Sequence, residues 1–303
     1  MKYRHVHHAG NFADVHKHVT LLALLAALER KDKGFLYLET HAGRGAYDLS
    51  SAHPGPGASR RPAGESATGI GRIDALSAAD GGWHSGIEEL REYGERVALL
   101  RRELAQPRLY PGSPLLAASV LRRQDRAVLI ERLPAEARAL ERALPQSGAG
   151  VSRIRVETGD GFEQLRAWLP PPERRGLTFI DPPYEETRED FERVRRAAVE
   201  ALRRFRTGVV AIWYPIKDER DTAAWHAALA AALDCELLAA ELSLYPRDSR
   251  VALNGSGMLI LNPPYRLAER MEVWLPRLHA CLDLGRGGGA GVRLLRTGSR
   301  DRS

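Results

Sequence analysis

Seven short apolar runs, separated mainly by stretches in which apolar residues recur at helical spacing, constrain this chain more than any other feature. They are FLYLET (35–40), AVLIE (127–131), IRVET (154–158), LTFI (177–180), GVVAIWYP (208–215), ELLAAELSLY (236–245) and GMLIL (257–261). Runs of this length, bounded by Gly or Pro, read as buried strands, and their alternation with helices predicts a doubly wound α/β sheet. Among the helices, Val15, Val19, Leu22, Leu25 and Leu28 mark one with a single buried face ahead of the first strand. Phe191, Val194, Ala198, Leu202 and Phe205 mark another after the fourth.

The alternation is interrupted once. From Ser50 to Gly82 the composition shifts to Ser, Pro, Gly and Ala with little periodicity, which reads as loop or insertion. Ile87, Leu90, Tyr93, Val97, Leu100 and Leu104 then restore an amphipathic helix. The expected organisation is a sheet domain from 1–49 and 111–283, split by a mostly helical insertion at 50–110 with a flexible lead-in. The tail 284–303, rich in Gly and Arg, reads as disordered. No apolar run reaches the roughly 18 residues that span a bilayer, and the N-terminus lacks an apolar leader core. Cys235 and Cys281 are too few for a disulfide framework, so a cytoplasmic protein without a membrane partner is expected. The net charge of +6, carried largely by arginine, suits contact with phosphates, although a solvated arginine-rich surface has the same composition. Arg122, Arg123, Arg174, Arg175, Arg203 and Arg204 are candidates for such a surface.

In an open parallel sheet, ligands bind beyond the carboxyl ends of the strands. After the first strand, His41-Ala42-Gly43-Arg44-Gly45 is a small turn that lets backbone approach a ligand. It is shorter than a dinucleotide fingerprint and lacks the Lys-Ser/Thr of a P-loop. Glu131 ends the second strand, where an acid captures ribose hydroxyls; a surface acid is the alternative. Asp160 follows the third, positioned to accept from an adenine amine with Phe162 nearby. Asp181-Pro182-Pro183-Tyr184 follows the fourth. Its carboxylate and the Pro182 carbonyl would accept both hydrogens of an exocyclic amine, and Tyr184 offers a face for a ring. A strand end closed by a purely structural turn would look the same. Asn262-Pro263-Pro264-Tyr265 is a second copy, but an antiparallel last strand would carry it to the opposite edge, so it reads as a turn. The histidines near the N-terminus lack Cys partners, HExxH or carboxylates at ligand spacing, and no metal is expected.

This order of strand ends resembles Rossmann-like methyltransferases that use S-adenosylmethionine, and (D/N)PPY is the pattern of adenine-N6 methylation. Tyr3 to His18 (YRHVHHAGNFADVHKH), Leu38 to Tyr47, Tyr110 to Pro114 (YPGSP) and Gly159 to Phe162 are similar to the RlmJ family, bacterial methyltransferases of an adenine N6 in 23S ribosomal RNA. The likeness spans the chain to about Cys281. It implies a seven-stranded Rossmann-like methyltransferase sheet and S-adenosylmethionine contacts from His18, His41, Gly43, Ser113, Glu131, Asp160 and Gly161. It also implies catalysis at Asp181 with Pro182 and Tyr184, substrate contact by Tyr3 and Tyr184, and 23S RNA, free or partly assembled, as partner. Ser113 and Tyr3 rest on the likeness alone. A DNA adenine methyltransferase, or a nucleic-acid-binding protein without catalysis, would carry much of the same loop chemistry.

Overall fold

The computed structural model describes residues 9–49, 65–79, 82–144, 153–185, 187–246, 249, 251 and 253–296. In chain order these form α1 (Phe12–Glu29), β1 (Leu36–Glu39), β2 (Ala46–Asp48), a 3-10 turn (Glu65–Thr68), α2 (Ile70–Ala79), α3 (Glu88–Glu103), β3 (Leu109–Pro111) and α4 (Ser113–Ala118). There follow β4 (Arg126–Glu131), α5 (Pro134–Ala143), β5 (Ile154–Thr158), α6 (Gly161–Trp168), β6 (Gly176–Ile180), α7 (Thr187–Arg204) and β7 (Val209–Ile216). The chain closes with α8 (Glu219–Ala232), β8 (Leu237–Ser243), β9 (Gly255–Leu261), α9 (Leu267–Leu282) and β10 (Gly289–Arg296).

The main sheet has the order β10-β8-β9-β7-β6-β1-β4-β5. Strands β5, β4, β1, β6 and β7 run parallel, β9 is antiparallel to β7 and β8, and β10 is antiparallel to β8. The chain leaves β1 toward β4 on one side and later returns to place β6 on the other. The strand order therefore reverses beside β1, where an α/β sheet opens a crevice. One face packs on α1 through α5 and α9, with Tyr37, Phe179 and Ala211 pointing into that core. The other packs on α6, α7 and α8, with Leu38, Ile180 and Ile212. The two-residue alternation of strands sorts them.

Three expectations are corrected. The sheet has eight strands rather than seven, because the tail is not disordered throughout: 289–296 pairs with β8, and 297–303 lie outside the described residues. Within the aperiodic stretch, 65–79 is helical, with Ile70 and Ile73 buried and the Ile70 N–H donating to the Gly10 carbonyl, while 50–64 fall outside the described residues. Finally, α1 is not one-faced. Every residue from Phe12 to Leu25 is buried, including Asp14, His16, Lys17, His18 and Thr20. Polar groups carried this deep must find partners inside the protein, and those partners form the site.

Candidate active site

The buried run of β6 ends at Ile180, and the two prolines that follow stop the strand, so Asp181 projects from the carboxyl edge beside β1. Its Oδ2 accepts from Lys17 Nζ at 2.6 Å. The same ammonium lies 2.7 Å from Asp14 Oδ1, one helical turn back on α1, and Asp14 Oδ2 accepts from the Gly10 N–H at 2.9 Å. The Lys17 and Asp181 side chains are only 4% and 10% exposed. Burial alone would push the lysine pKa down. The two carboxylates outweigh it and hold Lys17 well above its ordinary range, so the ammonium stays charged. A buried cation shared between two anions fixes the direction of each, and Asp181 is aimed by α1 from 164 residues away.

Tyr184 closes the same loop. Its hydroxyl donates to the Trp213 carbonyl at 2.7 Å, its ring packs on Phe191 and Trp213, and the residue is 8% exposed. The second Pro-Pro-Tyr lies elsewhere, as its strand direction requires. Leu261 pairs with Val210 at the start of β7, so Asn262 leaves the sheet at the amino edge of the parallel strands. There its Nδ2 donates to the carbonyls of Arg206 and Gly208, while Tyr265 is 82% exposed.

The glycine turn and the acid after β4 meet directly. The Gly43 N–H donates to Glu131 Oε2 at 2.8 Å and the Leu133 N–H to Oε1 at 2.7 Å; burial, the largest cause, raises the Glu131 pKa against these bonds. Gly43 has φ of 64°, and a Cβ there would stand 2.6 Å from Tyr47 Oη, so the turn admits no side chain. Gly161 is required for another reason: its Cβ would lie 1.9 Å from the Thr40 carbonyl, where α6 abuts the end of β1. Asp160 stands where expected and also has partners within the protein. Oδ1 caps α6, accepting from the N–H groups of Phe162 and Glu163, and Oδ2 pairs with Arg193 at 2.9 Å. His41 Nδ1 is 2.8 Å from Thr40 Oγ1 and its ring meets the Phe162 ring at 4.7 Å; burial lowers its pKa to about 4 and leaves it neutral. His18 and Ser113 sit deeper: His18 Nδ1 is 2.8 Å from Tyr110 Oη, and Ser113 Oγ donates to Glu39 Oε1 at 2.5 Å. Tyr3 lies outside the described residues.

The family model described as "Ribosomal RNA large subunit methyltransferase D, RlmJ" matches residues 32–293. The chain belongs to the RlmJ family. It is 41% identical to "Ribosomal RNA large subunit methyltransferase J" of Escherichia coli strain K12, over 93% of this chain and 94% of that one. The Haemophilus influenzae protein of the same name is 38% identical, over 92% of each chain. The crystal structure of protein LPL1258 from Legionella pneumophila aligns with a TM-score of 0.77 at 33% identity, covering 97% of this chain and 99% of that one.

In this RlmJ-family chain, sequence reasoning missed Lys17, Glu39, Leu133 and Arg193. The Asp14 to Lys17 spacing was a visible signal; a helical lysine is normally read as solvated. Leu133, two residues after the Glu131 strand end, is 57% exposed, an apolar surface on this edge. Several named arginines have partners within the protein: Arg122 pairs with Asp125, Arg175 donates to the Leu28 carbonyl, and Arg203 and Arg204 share Glu200. Among the described residues, no group of three or more His, Cys, Asp and Glu is arranged to hold a metal ion, and no helix is long and apolar enough to cross a membrane.

Glu39 gives a stability prediction. It is fully buried, and burial raises its pKa to about 8 despite hydrogen bonds from Ser113 and Tyr37. A carboxyl whose pKa is higher folded than unfolded contributes fully below the unfolded value of about 4.5, and the contribution is lost as pH rises toward 8. Glu39→Gln is therefore expected to melt higher than the unmodified protein at pH 8, by on the order of 2 kcal/mol, and to match it near pH 4. Melts that differ equally at both pH values would show that Glu39 is ionised throughout.

Proposed function

We propose that this protein transfers the methyl group of S-adenosylmethionine to the exocyclic N6 amine of an adenine in 23S ribosomal RNA. The observation that carries the reading is the Asp181 carboxylate, clamped at 2.6 Å by a buried ammonium at the carboxyl edge beside the strand-order reversal. The names of the RlmJ-family relatives supply ribosomal RNA of the large subunit as the substrate class.

The residues present suit an adenosyl cofactor. The Gly43 turn leaves space a side chain would fill, Glu131 stands at the strand end for ribose hydroxyls, and Leu133 and Phe162 offer apolar surface for a purine. In this reading His18, His41, Ser113, Asp160 and Gly161 complete the cofactor site. Arg193, rather than the cofactor, has one oxygen of Asp160. S-adenosylmethionine, when bound, supplies an electrophilic methyl on a sulfonium sulfur. A neutral His41 adds no repulsion to a cationic ligand on this edge.

The chain's own part is to prepare the amine. Its lone pair is delocalised into the adenine ring, so accepting its two hydrogens at Asp181 Oδ1 and the Pro182 carbonyl favours pyramidal nitrogen and frees that pair. Lys17 holds Oδ2, which leaves Oδ1 for the substrate. Holding the amine on the sheet edge where the cofactor's methyl would be supplied contributes much of the remaining acceleration. The methylated amine is acidic enough to lose its proton to water. A stacked base cannot reach this loop, so the target is unpaired or flipped out. Tyr184, with so little exposed ring, acts chiefly by fixing the loop, and Tyr3 completes the substrate contact. The segment 50–110 is an insertion in the methyltransferase domain of 1–49 and 111–283, and the protein works in the cytoplasm on free or partly assembled subunits.

The test is incubation with methyl-labelled cofactor and, in parallel, deproteinised 23S RNA, assembled subunits or duplex DNA, then mapping of the labelled base. Label in DNA alone would overturn the choice of RNA; bound cofactor with no transfer to either would leave a binding protein without catalysis. Glu131→Ala is expected to weaken cofactor binding by about 2 to 4 kcal/mol, since it removes a charge-assisted hydrogen-bonding group and frees the Gly43 turn. Calorimetry with the cofactor alone checks it, and an unchanged dissociation constant would remove Glu131 from the site.

A further inference from the structure

The glycine-rich stretch before and within β10 hollows out a second recess on the sheet. In the β8/β10 pairing, Ser243 stands opposite Gly289 and Glu241 opposite Gly291; in the β8/β9 pairing, the same two residues stand opposite Gly255 and Gly257. Directly opposed residues point to one face, so Ser243 and Glu241 have glycine on both sides. Over Gly255 and Gly257 the space is taken, because a Cβ there would meet the Ile216 and Tyr214 side chains reaching across from β7. At Gly289 and Gly291 a Cβ would meet nothing within 4 Å. The result is a recess of about 270 Å3 between this glycine floor and α8, lined among others by Glu219, Thr222, Glu241, Ser243, Asn254 and Arg293. That is slightly less than the roughly 300–1,000 Å3 of sites for drug-sized molecules, and suits one ring system.

Its polar groups have a pattern. Asn254 forms part of the wall; it is 1% exposed, and its Nδ2 donates to the Pro246 carbonyl at 2.8 Å. Glu241 accepts from Tyr214 Oη at 3.0 Å and from Arg293 Nη2 at 2.8 Å, which leaves each carboxylate oxygen a further lone pair. The two oxygens of the Glu241 carboxylate beside the Arg293 guanidinium match the edge of guanine, which places two adjacent N–H donors next to a carbonyl; the other bases offer a single donor group there.

The recess also lies on the right edge. Because β7 and β8 both run antiparallel to β9, the end of β8 points the same way as the ends of β6 and β7. Counted across the strands alone, along the order β6-β7-β9-β8, the end of β8 is three spacings from that of β6, roughly 14 Å at about 4.8 Å each. At about 3.4 Å per nucleotide of a stacked strand, that distance is a few nucleotides. We propose that this recess is a base-binding subsite for an unstacked guanine a few nucleotides from the target adenine, which rests on the RNA-methylating reading above.

The experiment is an abasic scan of the nucleotides flanking the mapped target, read by single-turnover methyl transfer with the unmodified protein. Gly289→Leu and Gly291→Leu, which fill the recess, are measured beside it with thermal melts. One flanking position is expected to raise the half-saturating RNA concentration at least about tenfold, with the limiting rate and cofactor affinity unchanged. Inosine for guanine at that position, which removes only the 2-amino group, is expected to raise it about threefold. Folded Gly291→Leu is expected to lose about as much as the abasic RNA, and the two changes combined no more than either alone. No sensitive flanking position, a sensitive base other than guanine, or a folded Gly291→Leu that uses RNA normally would overturn the proposal. Unmodified protein with unmodified RNA separates the two claims: absence of transfer overturns the functional reading and the subsite with it, whereas normal transfer with a flat scan overturns the subsite alone.

Discussion

Asp181→Ala is expected to lower single-turnover methyl transfer by roughly two orders of magnitude or more at saturating RNA, with cofactor binding near normal. The substitution deletes the acceptor proposed to face the reacting nitrogen, and it also leaves Lys17 with one carboxylate instead of two. Loss of that buried partner lowers the melting temperature, so melts and cofactor titration accompany the rate measurement. Asn262→Ala is the matched control, because it alters the other Pro-Pro-Tyr turn at the opposite edge. It removes two hydrogen bonds, to the carbonyls of Arg206 and Gly208, and is expected to cost about 1 kcal/mol of stability with turnover largely intact. A folded, inactive Asn262→Ala beside an active Asp181→Ala would place the chemistry on the wrong edge of the sheet.

The strand-end acids were legible in the sequence because a parallel sheet converts chain order into spatial order. Once LTFI and AVLIE are read as parallel strands of one sheet, Asp181 and Glu131 must emerge on one edge, and they do, on either side of β1. Direction separated the two Pro-Pro-Tyr turns in the same way. What composition concealed was backbone pairing. Strand β10 needs only N–H and C=O groups to join β8, and an edge strand with one exposed side tolerates glycine, so GRGGGAG read as disorder where 289–291 is sheet. The aperiodic 65–79 segment was hidden for a related reason, since it anchors α2 with only Ile70 and Ile73. Asp160 stands at the strand end as the sequence suggests, but its partner Arg193 comes from a helix 33 residues away and was not legible. Lys17 was concealed by its own chemistry: a lysine among leucines predicts a solvated face, and only the return of β6 to α1 supplies the carboxylate that buries it.

Lys17→Met is expected to be the most damaging single change after Asp181→Ala, for a reason that separates packing from positioning. Methionine fills much of the lysine's volume but leaves Asp14 and Asp181 buried near one another with no cation between them. Breaking a buried ion pair from one side typically costs about 3 to 5 kcal/mol, because the remaining charges are uncompensated. Since its pKa is held above the ordinary lysine value, the Lys17 contribution is complete below about pH 10 and is lost only as pH rises beyond it. Lys17 itself therefore does not titrate between pH 6 and 9, and any pH dependence of the melting difference there reports the two carboxylates that Lys17→Met leaves without it. Adding Asp14→Asn removes one of the two carboxylates that shared the ammonium and is expected to restore part of that stability. It is not expected to restore activity, because nothing then holds Asp181 Oδ2, and methyl transfer stays at least about tenfold down in the double variant. If activity instead returns in step with the melting temperature, Lys17 serves the fold alone, and the aim of Asp181 must come from the rigid Pro-Pro turn that follows it.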